Sequence, residues 1–489
     1  METLHRYKNR QMKKYFQLLS FLFIIISCTN DNNDTSITPP TDTTQKLTIF
    51  ITNDIHGKID NLAKLKYLVD EEKKITNVLL TNAGDIFSGN PIVDNYPQKG
   101  YPIIDLMNRV GYDISVIGNH EFDYGEANLK DRMEQASFKW VCANVDASGS
   151  VIPQPSPFTS ITVEGIKVSF LGLVETDGKE NDIIPSTHPW RVQNLVFENP
   201  EDVVRTYENV KAQENSDLFI ALTHIGHTKS NSLGDFQLAE QFPMFDLIIG
   251  GHSNGKINTV INDIPVFQAG GNLNYVGKIE LVISDKKVQT IDFELIDFST
   301  ITNEDADIKS RIDTYNDEPI FKEVVGFSEI NHNRSQVGNF TADAIRRQMG
   351  VDIAFQNTGG VRTNLDLGDI TKKDIFQILP FNNPTVSYNM TVSEVKSFLK
   401  GTGSGFYYSG VTFHKVNNEV VVRDLNGDII PDSTILTIGV NDYIPAVHDT
   451  YFPTSKIVRP QTDAETVISF LEQINSQVNY GTSSNYFKF

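Results

Sequence analysis

The sequence predicts a layered α/β domain followed by a smaller α/β domain. Two observations carry that prediction. Between Leu47 and Asn254 short apolar runs recur, each emptying into a polar loop, with helical patterns such as Leu62–Glu72 and residues 202–214 between them. Near Asp297 that pattern stops, and after an amphipathic stretch the chain starts again with strands and helices of its own.

Composition narrows the classes of function. At 489 residues the chain has room for two or three domains, and 39% hydrophobic with 10% aromatic residues is ordinary for globular protein. A formal charge of −20 argues against a nucleic-acid polymer or an anionic lipid surface as the main partner. A small phosphorylated substrate stays open, because a local cationic site overrides the global field. The two cysteines, Cys28 and Cys142, supply neither a disulfide framework nor a four-cysteine zinc site.

The chain starts with a targeting pattern. Lys13 and Lys14 precede the apolar run Leu18–Ile26, which is too short to span a bilayer and ends in Ile25-Ile26-Ser27-Cys28. That ending resembles the lipobox of bacterial lipoproteins. The resemblance implies a signal segment over residues 1–28, a lipid on Cys28, and a lipid-anchored place in the bacterial cell envelope, facing periplasm or exterior. Residues 29–45, rich in Thr, Asn, Asp and Pro, read as a flexible tether.

In the first domain, residues 46–298, the informative part of each strand is the loop it feeds. Leu47–Thr52 leads to Asn53-Asp54-Ile55-His56-Gly57, and residues 77–83 lead to Gly84-Asp85. Residues 114–117 lead to Gly118-Asn119-His120-Glu121-Phe122-Asp123. Residues 138–146 and 166–175 read as further strands. Residues 217–223 lead to His224-Ile225-Gly226-His227, and residues 245–251 lead to His252-Ser253-Asn254. Open α/β sheets bind ligands at this carboxyl edge. Packing has no need for His and Asp repeatedly at one edge, whereas a metal centre does. Asp54 and His56, two apart, share a face of an extended segment. A carboxylate such as Asp85 can bridge two cations roughly 3.5–4 Å apart. Mixed imidazole, carboxylate and amide donors suit zinc, manganese or iron(II) better than calcium.

Taken in order, these five motifs resemble the calcineurin-like metallophosphoesterases, and among them the secreted 5′-nucleotidase/UDP-sugar hydrolase family. The resemblance implies an αββα catalytic domain followed by a smaller α/β 5′-nucleotidase C-terminal domain. It implies one metal held by Asp54, His56, Asp85 and Asn254, and a second held by Asp85, Asn119, His224 and His252. The pair would polarise phosphoryl oxygens and activate water. His120 is the candidate for assisting the leaving group, as stabiliser or general acid, with Asp123 orienting its ring and favouring the cation. No role is assigned to Glu121, and His227 is read as supporting its loop.

Residues 299–320 are read as a linker helix, because Ile308, Ile312 and Tyr315 fall at helical spacing. In the second domain, residues 321–489, Arg334–Met349 reads as a helix. Capping boxes at Thr391–Glu394 and Thr462–Glu465 open two more. No second metal cluster is legible there, so substrate recognition is its expected role. By resemblance, Asn357 faces a base and Arg362 a phosphate. Phe381 and Tyr443 stack on the base, Asn383 contacts it, Asp449 binds ribose, and Arg334 is a further phosphate-side arginine. The chain departs from the family at Val447-His448, where two glycines are usual.

The expected function is two-metal hydrolysis of nucleoside 5′-monophosphates to nucleoside and phosphate outside the cytoplasm. It extends to UDP-sugar or dinucleotide pyrophosphate hydrolysis. The alternatives are a broad-specificity phosphomonoesterase or cyclic-nucleotide phosphodiesterase and, from another class, a non-catalytic surface binding lipoprotein.

Overall fold

The computed structural model describes residues 44–179, 182–228, 233–474 and 477–489. The targeting segment, Cys28 and nearly all of the tether lie outside those residues. Among the described residues no helix is long and apolar enough to cross a membrane.

Two six-stranded sheets face each other in the first half of the chain. One runs, edge to edge, Lys287–Asp297, Tyr275–Ser284, Gln45–Thr52, Asn77–Asn82, Ile114–Val116, Lys139–Val141. The other runs Lys256–Ile261, Ile264–Ala269, Leu247–Ile249, Leu218–His224, Ile166–Val174, Phe158–Val163. Alternate residues from both meet in one apolar layer: Leu47, Ile49 and Ile51 of the first sheet pack with Ile166, Val168, Phe170, Leu218 and Ile220 of the second. Each such side chain contributes about 1.5–3 kcal/mol of burial. Helices cover the outer faces, which makes the half an αββα sandwich. Leu62–Glu72 and Tyr101–Val110 lie on one side and Asp235–Gln241 on the other.

Parallel pairing positions the site. Gln45–Thr52, Asn77–Asn82 and Ile114–Val116 run parallel in the first sheet, as do Leu218–His224 and Leu247–Ile249 in the second. Their carboxyl ends therefore open on one rim.

Two elements differ from the sequence reading. The single strand expected over 138–146 is two short ones, Lys139–Val141 and Val145–Asp146, in different sheets; between them Asn144 turns inward to bond Val174 and Glu198. The helix expected over 202–214 breaks into Pro200–Val204, a 3-10 turn at Arg205–Tyr207, and Val210–Gln213. Thr206, Tyr207 and Asn209 are weak helix formers.

Helix Ala306–Asn316 buries Ile308, Ile312 and Tyr315 against the helices Leu62–Glu72 and Tyr101–Val110. Tyr315 Oη donates to Asp105 Oδ2 at 2.9 Å and Arg311 Nε to the same oxygen at 3.0 Å. Beyond it, Arg334–Met349 forms one helix, and both predicted capping boxes are present. A mostly antiparallel six-stranded sheet, ordered Ile457–Thr462, Pro384–Thr391, Ile435–Asn441, Ile353–Asn357, Gly405–Ser409, Tyr486–Lys488, completes the smaller α/β half.

Candidate active site

The rim loops are laced together before any side chain is considered. Asn53–Gly57 runs beside Gly84–Ile86: Asp54 N–H donates to Gly84 O at 3.0 Å, His56 N–H to Asp85 O at 3.0 Å, and Gly57 N–H to Ile86 O at 2.7 Å. This lacing holds side-chain-bearing residues in left-handed backbone. φ is +50° at Asp54 and His56, +57° at Asp85, +72° at His252 and +52° at Asn254. Such residues cost about 1–2 kcal/mol each, and they cluster where function requires the geometry. Gly118 has no alternative: a Cβ there would overlap Asp85.

Asp85 is the hub. Its Oδ2 lies 3.1 Å from His224 Nε2, 3.9 Å from His56 Nε2 and 4.0 Å from His120 Nε2. Donor atoms of Asp54, Asp85 and His224 all fall within 4.8 Å of one another, and so do those of His56, Asp85 and His120. His56 Nδ1 donates to Ser88 O at 3.1 Å and His224 Nδ1 to Ala83 O at 2.6 Å. Ligand histidines are oriented in this way, with the second nitrogen tied to a carbonyl. His224 Nε2 is buried without a hydrogen-bond partner and faces the Asp85 carboxylate. A buried imidazole nitrogen this close to a carboxylate needs a shared proton or a metal cation between them. The donor set and this orphaned atom fit divalent metal. Burial works to raise the Asp85 pKa, but the imidazoles of His224 and His120 outweigh it and hold the group well below the carboxylate range.

The remaining ligand candidates sit on the same rim. Asn119 Oδ1 meets His252 Nδ1 at 3.0 Å, and Asn119 Nδ2 donates to Ser186 O at 3.0 Å. Asn254 Nδ2 donates to Asp54 Oδ1 at 3.2 Å. His227 stands one layer out, its Nδ1 2.7 Å from Ser253 Oγ.

Beside the hub, His120 Nδ1 bonds Asp123 Oδ2 at 2.6 Å, leaving Nε2 directed at the cluster. Burial disfavours the imidazolium, yet Asp123 and then Asp85 raise its pKa to about 9. Burial likewise pushes Asp123 up, and the His120 cation overcomes that and lowers it.

A cavity of about 370 Å³ opens from this cluster. His56, Asp85, Asn119, His120, His252 and Asn254 form one wall, and Asn357, Arg362, Phe381, Asn383 and Tyr443 form the facing one. The Phe381 ring lies over His120, centroids 5.8 Å apart and planes 13° from parallel, and the Arg362 guanidinium lies 5.5 Å from the Phe381 centroid. A second cavity of about 390 Å³ shares His56, Asn254 and Arg362 and adds Lys58 and Arg334.

Residues 47–255 match the calcineurin-like phosphoesterase family, and residues 320–455 match the 5′-nucleotidase C-terminal domain. The chain belongs to the calcineurin-like metallophosphoesterases that carry a 5′-nucleotidase C-terminal domain. These are hydrolases of phosphate esters. The chain is 29% identical over 499 residues to the trifunctional nucleotide phosphoesterase protein YfkN of Bacillus subtilis; that alignment covers 86% of this chain but only 33% of YfkN. It is 27% identical over 458 residues to a 5′-nucleotidase of Vibrio cholerae, covering 78% of this chain and 82% of that protein. The crystal structure of a 5′-nucleotidase precursor from Thermus thermophilus shares the fold with a TM-score of 0.77 at 23% identity, covering 90% of this chain and 98% of that one.

Within this metallophosphoesterase, two of the residues assigned to substrate stand apart from the first cavity. Arg334 lines the second cavity instead, and its guanidinium donates to Val361 O and Thr358 O. Asp449 lines neither: it is exposed and pairs with Lys179 Nζ at 3.2 Å. Beside it, His448 packs against Phe398 and Phe406, at 6.0 and 6.1 Å between centroids. The structure does not bring Asp449 to the cavity that holds the other residues assigned to the nucleoside.

Other contributors carry no sequence motif. Thr187 Oγ1 donates to Asp123 Oδ1 at 3.1 Å. Arg191 donates to Asp123 O, to Phe381 O at 3.0 Å and to Asn383 Oδ1 at 2.9 Å, so one guanidinium joins the His120–Asp123 pair to the facing wall. Glu121, which the sequence alone left without a role, is fully buried and accepts Gly118 N–H at 2.5 Å, Ile86 N–H at 2.6 Å and Asp85 N–H at 3.0 Å. It ties the His120 loop to the Asp85 loop. Its place directly after His120, inside a motif of otherwise assigned residues, was the available signal. Glu121→Ala is expected to leave three buried N–H groups unpaired and to cost about 3 kcal/mol or more. Denaturant unfolding measures this, and an unchanged midpoint would refute the tie.

Proposed function

We propose that this metallophosphoesterase hydrolyses nucleoside 5′-monophosphates to nucleoside and phosphate, using two divalent cations that share Asp85. The observation that carries the reading is the first cavity. Its metal-donor wall and its aromatic, amide and arginine wall stand face to face, as an ester joining phosphate to a nucleoside requires. When bound, such cations supply the Lewis acidity that polarises phosphoryl oxygens and lowers the pKa of water. The side chains do the rest. Arg362 neutralises phosphate charge as a fixed fork of donors. Phe381 offers its face to the base, with Tyr443 on the same cavity wall. His120, held cationic by Asp123, lies where the departing alkoxide accumulates charge and is the group placed to protonate it.

The second cavity supports an extension to UDP-sugars or dinucleotide pyrophosphates. Lys58, Arg334 and Arg362 give it a cationic lining on the other side of His56 and Asn254, room for a second phosphate and what it carries. The proposed setting is the bacterial cell envelope, with the protein lipid-anchored through Cys28 and facing outward from the cytoplasm. The charged, apolar and Ile-Ser-Cys sequence of the amino-terminal segment supports it.

The test is phosphate release by purified protein, with zinc or manganese added, across nucleoside monophosphates, UDP-glucose, cyclic nucleotides and p-nitrophenyl phosphate. Faster turnover of 5′-monophosphates than of the aryl phosphate is expected; equal turnover of all would reduce the reading to a broad phosphomonoesterase. Phe381→Ala is expected to raise KM for nucleotides roughly 5–100-fold, the scale of one base–aromatic stack. The KM for p-nitrophenyl phosphate should move far less, and equal shifts would mean that Phe381 only packs the wall.

A further inference from the structure

We propose that the nucleoside side of this cavity selects bases whose 6-substituent (purines) or 4-substituent (pyrimidines) is a carbonyl oxygen, so hypoxanthine and uracil nucleotides are preferred over adenine and cytosine nucleotides. The proposal rests on the reading that a nucleoside binds there. Its basis is how two amides are locked.

An asparagine side chain has one accepting oxygen and one donating NH₂ group, and either end can face a ligand. At Asn383 the choice is made by Arg191, whose Nη2 donates to Asn383 Oδ1 at 2.9 Å. A guanidinium only donates, so turning the amide over would set NH₂ against N–H. Arg191 is itself fixed by Phe381 O and Asp123 O. At Asn357 the lock has two steps. Ile444 N–H donates to Asn441 Oδ1 at 3.3 Å, and Asn441 Nδ2 then donates to Asn357 Oδ1 at 2.9 Å. Both chains of bonds start at a group that cannot accept.

The consequence is an NH₂ group at Asn357 and another at Asn383, with no hydrogen-bond partner among the described residues. Both side chains line the cavity with Phe381. Asn383 is only 4% exposed, so what little of it is open meets the cavity rather than bulk solvent. Neither arginine of the lining adds an acceptor: Arg191 is held by Asp123 O, Phe381 O and Asn383 Oδ1, and Arg362 is left to the phosphate. A base stacked on Phe381 therefore meets a donor-rich edge. The 6-oxygen of hypoxanthine and the 4-oxygen of uracil accept there. The 6-amino group of adenine and the 4-amino group of cytosine, set at the same place, bring a donor to a donor, so these bases can pair there only through a ring nitrogen or, in cytosine, the 2-oxygen.

The experiment compares kcat/KM for IMP with AMP and for UMP with CMP, in the metal-loaded protein and in Asn383→Asp. The variant keeps an acceptor for Arg191 and replaces the NH₂ group by a second oxygen. The readout is a ratio within one protein, so a general loss of activity cancels. The expected result is a ratio of about ten or more in favour of the oxo base in the unaltered protein. In Asn383→Asp the ratio should fall towards or past unity. Equal turnover of IMP and AMP by the unaltered protein would overturn the proposal, as would a preference for AMP. So would an IMP preference that Asn383→Asp leaves intact. If the variant fails to fold, as shown by early melting, the ratio in the unaltered protein still decides. Hydrolysis of no nucleotide at all, with p-nitrophenyl phosphate still cleaved, overturns the nucleotidase reading and this proposal together, a result distinct from equal turnover.

Discussion

Asp85→Ala is expected to abolish phosphate release and to lower the bound divalent metal. Asp85 is the one carboxylate common to both donor clusters, with three imidazole Nε2 atoms between 3.1 and 4.0 Å from its Oδ2. In the proposed site its loss would take a ligand from each of two cations and uncover their mutual repulsion, because a shared anion offsets the charge of a closely spaced metal pair. Neighbouring histidines cannot compensate, since His56 and His224 are pinned by bonds to Ser88 O and Ala83 O. Metal analysis of dialysed protein is the direct measurement. Undiminished metal content in the variant would remove Asp85 from the hub. Asp85 Oδ1 also accepts His120 N–H at 2.9 Å, so a crystal structure of the variant should show the His120 loop shifted as well.

His120→Ala is expected to separate chemistry from metal binding. The metal complement should persist while kcat falls by roughly 10²–10⁴, the usual scale for lost proton transfer. Burial alone would keep this imidazole neutral; Asp123 reverses that and, with Asp85, carries the pKa to about 9. The acid form is thus present below that pKa and is lost as pH rises through it. Cations bound in the proposed site would lower the value by repulsion, so the alkaline limb of kcat in the metal-loaded protein should lie below pH 9. Asp123→Asn should move that limb further towards acid, because the anion that favours the imidazolium is gone. A pH profile that stays in place would deny Asp123 its role, and unchanged turnover in His120→Ala would remove His120 from the reaction.

Much of this was legible in the chain. A strand that ends in Asp-x-His or Asn-His is a local pattern, and five such endings pointed to one rim because parallel strands carry their carboxyl ends to the same edge. The helices with capping boxes were legible for the same reason: their signals lie within four residues. The breaks were less so. Residues 202–214 read as one helix by apolar spacing, yet Thr206, Tyr207 and Asn209 interrupt it, and 138–146 splits where Asn144 turns inward to bond Val174 and Glu198. Asp449 was placed by its distance from Tyr443, but a spacing along the chain does not record that its carboxylate pairs with Lys179, 270 residues away.

By itself, then, the sequence determined the layered α/β class and, through five motifs, the family resemblance that implied the αββα fold, because both are carried by short patterns in which neighbouring residues constrain one another. Tertiary structure alone decided which backbones are held left-handed at Asp54, His56 and Asp85, how Glu121 and Arg191 tie one loop to another, and which end of Asn357 and Asn383 meets a ligand. Those are outcomes of pairing between groups far apart in the chain. A buried donor takes whichever acceptor packing brings to it, and no local pattern records that choice.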